Sequence, residues 1–193
     1  MYDFIDDFLF SYQSLIYALG INGLLALSMY VVLAIGQLSL GQAAFMGLGA
    51  YTSALLTLKL GVPFPLVLLA SMAVPALAAL IIGAPTLRLS GVYLALATIG
   101  LGEVLRIGFV NSELTGGALG LSGIPEKAGY TIIFGALAFA LIAFVLISRS
   151  RIGRAMEAMR EDEIAAGMLG VHLPRYRISA LVVSAMLAGL AGA

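Results

Sequence analysis

Three runs of about twenty apolar residues, Ser14–Ile35, Phe64–Ala84 and Tyr130–Ser148, dictate the solvent in which this chain folds. A helix rises about 1.5 Å per residue, so about twenty such residues cross a hydrocarbon core of about 30 Å. In that medium every backbone N–H and C=O needs an internal partner, and a helix supplies them all within one segment. Two further runs, Ala43–Leu58 and Gly91–Val110, are long enough but carry Gly, Thr, Ser or charges, so they must lean on neighbouring helices. A last run starts at Ile178 and is still apolar at Ala193, reaching only about 24 Å. The sequence therefore reads as part of a longer protein. A soluble domain carries about 25% charged residues; this chain carries 10%, with 62% hydrophobic residues, no Trp and no Cys. The expected fold is all-α, a polytopic membrane bundle of about five transmembrane helices plus part of a sixth. It forms one domain over residues 1–193.

The few charges are segregated, and their placement orients the spans. Ten of the twenty acidic and basic side chains lie between Arg149 and Arg177, a loop with six Arg, which by the positive-inside tendency faces the cytoplasm. Alternation then puts Thr86–Ser90, with Arg88, and the uncharged Gly36–Gln42 turn on the same side. The N-terminus, the Lys59–Pro63 link and the Asn111–Gly129 loop fall outside, with Lys59 and Lys127 as their only basic residues. Residues Met1–Gln13 hold Asp3, Asp6 and Asp7 and no basic residue, so they lack the positive start of a secretory signal. Zero net charge arises from this segregation and gives no hint of nucleic acid.

The 149–177 loop divides by its local chemistry. Arg151–Arg160 is rich in helix formers, with Arg154–Glu157 and Glu157–Arg160 spaced to pair, and is expected to extend the preceding span into water. Asp162 can cap a second, short helix, Glu163–Leu169, with Glu163 in its first turn. Gly170 can end that helix in the left-handed conformation, and Pro174 is expected to prevent an immediate restart. The short helix displays Ile164, Ala165, Ala166, Met168 and Leu169. That face either docks into a groove on another protein or rests on the chain's own spans or on lipid headgroups.

Polar residues elsewhere are sparse enough to consider singly. Gly36, Gln37, Ser39, Gly41 and Gln42 form an irregular polar segment between two apolar runs. Such backbone at membrane depth survives only inside protein or beside a wet cavity, whereas at the membrane surface it is a plain turn. Ala44, Gly47, Gly49 and Ala50 point to a tight helix crossing. Glu103 and Arg106, three residues apart, share a helix face and can pair; they belong to a pathway or conformational lock, or Arg106 snorkels to the outer interface. His172 has no second ligand type nearby and reads as a loop-packing residue, so no metal site or cofactor is expected. Asn111–Gly129 reads as a structured external loop rather than a linker.

Several words of the sequence resemble a known family. Ala165-Ala166-x-x-x-Gly170 is similar to the cytoplasmic EAA loop of ABC importer permeases. Gly36–Gln42 (GQLSLGQ), Gly47–Tyr51 (GLGAY), Thr115–Gly117, Gly123–Pro125, Gly153–Ala155 and Ser184–Ala193 resemble the permeases of branched-chain amino acid importers, most closely the LivM-type branch. Ile164 stands where the general EAA pattern has Glu, and Glu163 lies one position early. Permeases of that family are longer than 193 residues.

The resemblance implies a transport subunit rather than an enzyme. A periplasmic or extracellular binding protein would deliver a branched-chain amino acid to this chain and a second permease subunit. Two cytoplasmic ATP-binding subunits would drive transport, with Asp162–Gly170 as the coupling helix seated on one of them. The setting would be a bacterial or archaeal cytoplasmic membrane. The chain itself carries no nucleotide signature: its Gly-rich stretches lack the Gly-Lys-Ser/Thr ending of a phosphate loop and the third glycine of a dinucleotide site. Gln37, Ser39 and Gln42 are candidates for the translocation path, together with Gly36, Gly41, Glu103 and Arg106. The competing class is an ion-coupled carrier, with Glu103 carrying protons, or a passive channel for small polar solutes.

Overall fold

The computed structural model describes residues 12–86, 89, 91–124 and 128–193. The acidic start through Ser11, Arg88 in the Thr86–Ser90 link, and Pro125 and Lys127 in the 111–129 loop lie outside the described residues. Among the described residues every regular element is a helix. In chain order these are α1 Gln13–Leu33, α2 Gln42–Leu60, α3 Phe64–Thr86, α4 Val92–Asn111, α5 Tyr130–Ser148, α6 Arg151–Glu161, α7 Glu163–Met168 and α8 Leu173–Gly192. Two single 3-10 turns, Glu113–Thr115 and Gly117–Leu119, precede α5. Helices α1 to α5 are each long and apolar enough to cross a membrane, so the chain is a polytopic helical membrane protein.

Helix α8 is the axis of the bundle, lying against α1, α2 and α3. Its buried residues are Ala180, Ser184, Ala185, Ala188, Gly189 and Ala191, all small. Lipid tails are as apolar as leucine, so helices in a membrane associate through close packing of small residues rather than through hydrophobic exclusion. Here the approach is extreme. A Cβ on Gly49 would lie 2.2 Å from the Gly189 carbonyl oxygen, one on Gly189 would lie 2.2 Å from that of Ser71, and one on Gly192 would lie 2.2 Å from that of Met46. The small-residue cluster of α2 thus forms the tight crossing its composition implies, through Gly49 against α8.

The sixth run departs from expectation at its start. Helix α8 begins at Leu173, five residues before Ile178, with Pro174 inside its first turn. A proline there gives up an N–H that has no intrahelical acceptor anyway, so it begins a helix as readily as it ends one. Over twenty residues α8 is about 30 Å long. Helix α6 departs as well: it is a new helix rather than an extension of α5. Ser150 breaks the chain by accepting from Ile152 N–H at 3.1 Å and donating to the Ile147 carbonyl at 2.6 Å. Gly153 then lets α6 fold over the end of α5, where a Cβ would meet the Ser148 carbonyl oxygen at 2.0 Å. Neither Arg154–Glu157 nor Glu157–Arg160 closes into an ion pair; those found among the described residues are Arg106–Glu103 and Arg177–Glu163.

Helix α5 lies along α1, which presents Gly20 to Ile133 and Gly23 to Leu137. Tyr17 meets Tyr130 and Tyr30 meets Phe144 at the two ends of this pair. The outer side of α5, with Phe139, Ile142 and Leu146, is exposed, as suits a face toward lipid. Helix α5 is the least buried of the five spans; helix α4, also largely exposed, leans on α2. The described part of the 111–129 loop is structured: Thr115 Oγ1 donates to the Ser112 carbonyl at 2.9 Å and to that of Phe109 at 2.5 Å.

Candidate functional site

One end of the bundle gathers the 36–42 segment, the cytoplasm-assigned helices α6 and α7, and the start of α8. Helix α1 ends there in a paired-carbonyl stop, with Gly36 N–H bonded to Leu33 O at 2.9 Å and Gln37 N–H to Val32 O at 3.3 Å. Gly36 holds the left-handed φ of +77° this motif requires, and a Cβ on it would sit 3.2 Å from Arg160 Cα in α6. The segment then alternates, its polar side chains turned inward, with Ser39 only 1% exposed and Gln37 and Gln42 buried, while Leu38 and Leu40 are exposed. Leu40 N–H donates to Thr98 Oγ1 of α4 at 3.0 Å, and Gly41 packs on Thr98. Gln42 Nε2 donates to Ser184 Oγ at 3.4 Å, and Ser28 Oγ donates to the Ser184 carbonyl at 2.8 Å. These bonds tie α1, α2 and α8 together.

The space beside Gln37 and Ser39 is about 10 Å³, closed by Arg177, Leu94 and Gly83, which is room for one water and not for an amino acid. Three hydroxyls distant in sequence support this segment: Thr98 and Ser184 bond it directly, and Ser28 reaches it through Ser184. Their only signal was chemical, since a hydroxyl in an apolar span needs an acceptor on a neighbouring helix or on its own preceding turn. Thr98→Val keeps the shape but leaves Leu40 N–H without its acceptor. We expect a stability loss of about 1–2 kcal/mol, read as a lower unfolding midpoint of the purified protein in detergent.

The short helix α7 is built as its sequence specifies. Asp162 Oδ1 accepts from Ile164 N–H at 2.8 Å and Ala165 N–H at 3.0 Å. Gly170, at φ +89°, ends it in the same paired stop: Gly170 N–H to Gly167 O and Val171 N–H to Ala166 O, both at 3.1 Å. Ala166 is 1% exposed and turns inward, while Ile164, Met168 and Leu169 are 73%, 84% and 83% exposed. The apolar face is therefore not used by the chain's own spans. Glu163 forms an ion pair with Arg177 of α8, partly buried and fourteen residues away, which fastens α7 to the base of the central helix. His172 is the exposed residue preceding α8, its carbonyl accepting from Arg175 N–H at 3.1 Å, rather than a packed loop residue.

Glu103 and Arg106 lie apart from the 36–42 polar residues, on the wall of a separate cleft of about 430 Å³ between α2 and α4. The Arg106 guanidinium turns back along α4 toward Glu103. Its Nε donates to both Glu103 oxygens at 3.1 and 3.0 Å and its Nη2 to Oε1 at 2.6 Å, one turn toward the middle of α4. Gly47 meets Phe109 at the cleft's edge, and the Tyr51 and Phe109 rings lie 4.3 Å apart, centroid to centroid. Leu40 lines this cleft as well, so the 36–42 segment borders it by that one side chain.

The family model described as the permease component of branched-chain amino acid transport systems matches residues 11–193. The chain is similar to the high-affinity branched-chain amino acid transport system permease proteins LivM of Salmonella typhimurium and Escherichia coli. Each is 35% identical over 213 residues, covering 92% of this chain and 48% of the relative. The chain thus spans about half the length of those relatives. No solved structure matches.

Proposed function

This chain belongs to the family of permease components of branched-chain amino acid transport systems, and on that premise we propose that it is a membrane subunit of an ATP-driven importer of branched-chain amino acids. Helix α7 is its coupling helix, seated in a cleft of a cytoplasmic ATPase subunit. The observation that carries this reading is the capped, six-residue α7, whose Ile164, Met168 and Leu169 point away from every span of the chain. A helix of two turns is marginal alone. The Asp162 cap, the Gly170 stop and the Glu163–Arg177 pair hold it in shape before any partner arrives, which lowers the ordering cost of docking. A second permease subunit, a second ATPase and a periplasmic or extracellular amino-acid-binding protein complete the assembly in the cytoplasmic membrane. The 36–42 segment acts as a rigid polar junction beside the path, and Glu103 and Arg106 face the path itself.

The test uses the assembled importer in proteoliposomes. Met168→Asp and Leu169→Asp leave the fold intact, because both side chains are exposed, and reduce co-purification of the ATPase subunit at least ten-fold, the scale set by losing an interface anchor. Uptake stops when internal ATP is depleted. Uptake that persists in both variants, ignores ATP and follows a proton gradient identifies an ion-coupled carrier instead.

A further inference from the structure

Glu103 and Arg106 place an anion and a cation side by side on the wall of an apolar cleft, and we propose that this cleft binds the α-ammonium and α-carboxylate of an amino acid with an apolar side chain. The proposal rests on the permease reading above and gives it a site. Glu103 is the twelfth of the twenty residues of α4, so the pair sits well inside a membrane span. Its side chains are nonetheless 54% and 67% exposed for Glu103 and Arg106 respectively. Charges at that depth are retained toward a wet cavity or a bundle interior, not toward lipid.

Packing does not account for the pair. Both residues are on one helix, three positions apart, so their bond joins α4 to nothing else. A pair of that kind contributes only about 0.2–0.5 kcal/mol to a helix, far less than the cost of keeping two ionised groups in a span. The pair's own bond therefore joins no two of the described helices.

The unused hydrogen-bonding capacity of the pair fits a zwitterion. Arg106 directs Nε and one Nη2 hydrogen at Glu103, which leaves both Nη1 hydrogens and the second Nη2 hydrogen for a carboxylate. Glu103 Oε2 accepts only from Arg106 Nε and retains lone-pair capacity for an ammonium. The pair has no net charge, so it rejects a lone anion or cation on electrostatic grounds and accepts a molecule carrying both. Leu40, Ala43, Ile99 and Val110 supply apolar walls for an aliphatic side chain. A cleft of about 430 Å³ lies within the size range, about 300–1,000 Å³, of sites that enclose small molecules.

The experiment uses single cysteines at the exposed cleft positions, Ala43→Cys and Val110→Cys, in the assembled importer; this segment has no native cysteine to label. Leucine slows maleimide labelling. Leucinamide, which lacks the carboxylate, and the corresponding α-keto acid, which lacks the ammonium, do not at equal concentration. Arg106→Gln weakens leucine's protection at least ten-fold and abolishes the preference over leucinamide, the loss expected of one charge-assisted hydrogen bond. Glu103→Gln does the same against the keto acid, and Arg106→Lys retains part of the protection. Equal protection by all three compounds, protection unchanged in both Gln variants, or labelling blocked without any amino acid because a neighbouring helix fills the cleft each overturns the proposal. ATPase stimulation by loaded binding protein, measured in the same preparations, reports separately on the importer reading: its absence from the unmodified complex sinks that reading, whatever the labelling shows.

Discussion

Gly189→Ala, the addition of one methyl group, is expected to unfold the centre of the bundle. The new Cβ would lie 2.2 Å from the Ser71 carbonyl oxygen and 2.6 Å from Pro75 Cγ, with the Gly49 crossing on another side of the same residue. Backbone and a proline ring cannot swing aside as a lysine tip can, so α3 and α8 must separate. Overpacking of this kind costs about 1–3 kcal/mol and more where backbone must shift. The usual helix preference for alanine over glycine, about 1 kcal/mol, works in the opposite direction. Gly135→Ala in α5 is the control. Its Cβ meets nothing within 4 Å, so only the propensity gain operates and the variant should be as stable as the parent or more so. The measurement is the fraction of protein that remains monodisperse in detergent after heating. If Gly189→Ala survives as well as Gly135→Ala, the close three-helix junction described here is wrong.

The second large effect is expected at Glu163. Glu163→Arg sets two guanidinium groups against each other where α7 meets the base of α8, and Arg177→Glu sets two carboxylates there. Arg177 is largely buried, 15% exposed, so like-charge repulsion is poorly screened at that position. On the importer reading proposed above, each single variant should lose amino acid uptake by the assembled complex at least ten-fold while the membrane spans still insert and assemble. The double exchange, Glu163→Arg with Arg177→Glu, restores the opposite-charge pair and should recover a substantial part of uptake. Recovery is the discriminating outcome, since two independently damaging changes add rather than cancel. Failure of the exchange to improve on either single variant would show that Glu163 does not act through Arg177.

Much of the local structure was legible because it depends on residues close together in the chain. Asp162 caps α7 and Gly170 ends it with groups at most five positions away. Tyr130–Ser148 was read with its boundaries unchanged. Where the local reading failed, a residue had two permitted uses. Pro174 starts α8 although prolines also stop helices, and Ser150 begins α6 where a continuous helix was expected. The displaced Glu163 acquired a partner only when the start of α8 folded back beside α7.

What the sequence determined by itself is the solvent, the number of long helices and the punctuation between them, because twenty-residue apolar runs and capping residues act locally. Only the tertiary structure decided which side of each helix faces which neighbour. Spans α1, α3 and α5 carry few polar side chains, so no amphipathic stripe marks an inner face, and lipid offers no hydrophobic penalty to choose one. Rotation and depth are set instead by shape: Gly49 and Gly189 can touch, and Ser28 can reach Ser184 across 156 residues of sequence. That choice closed Gln37 and Ser39 into a space the size of a water molecule. It left Glu103 and Arg106 open to a cleft the size of a ligand.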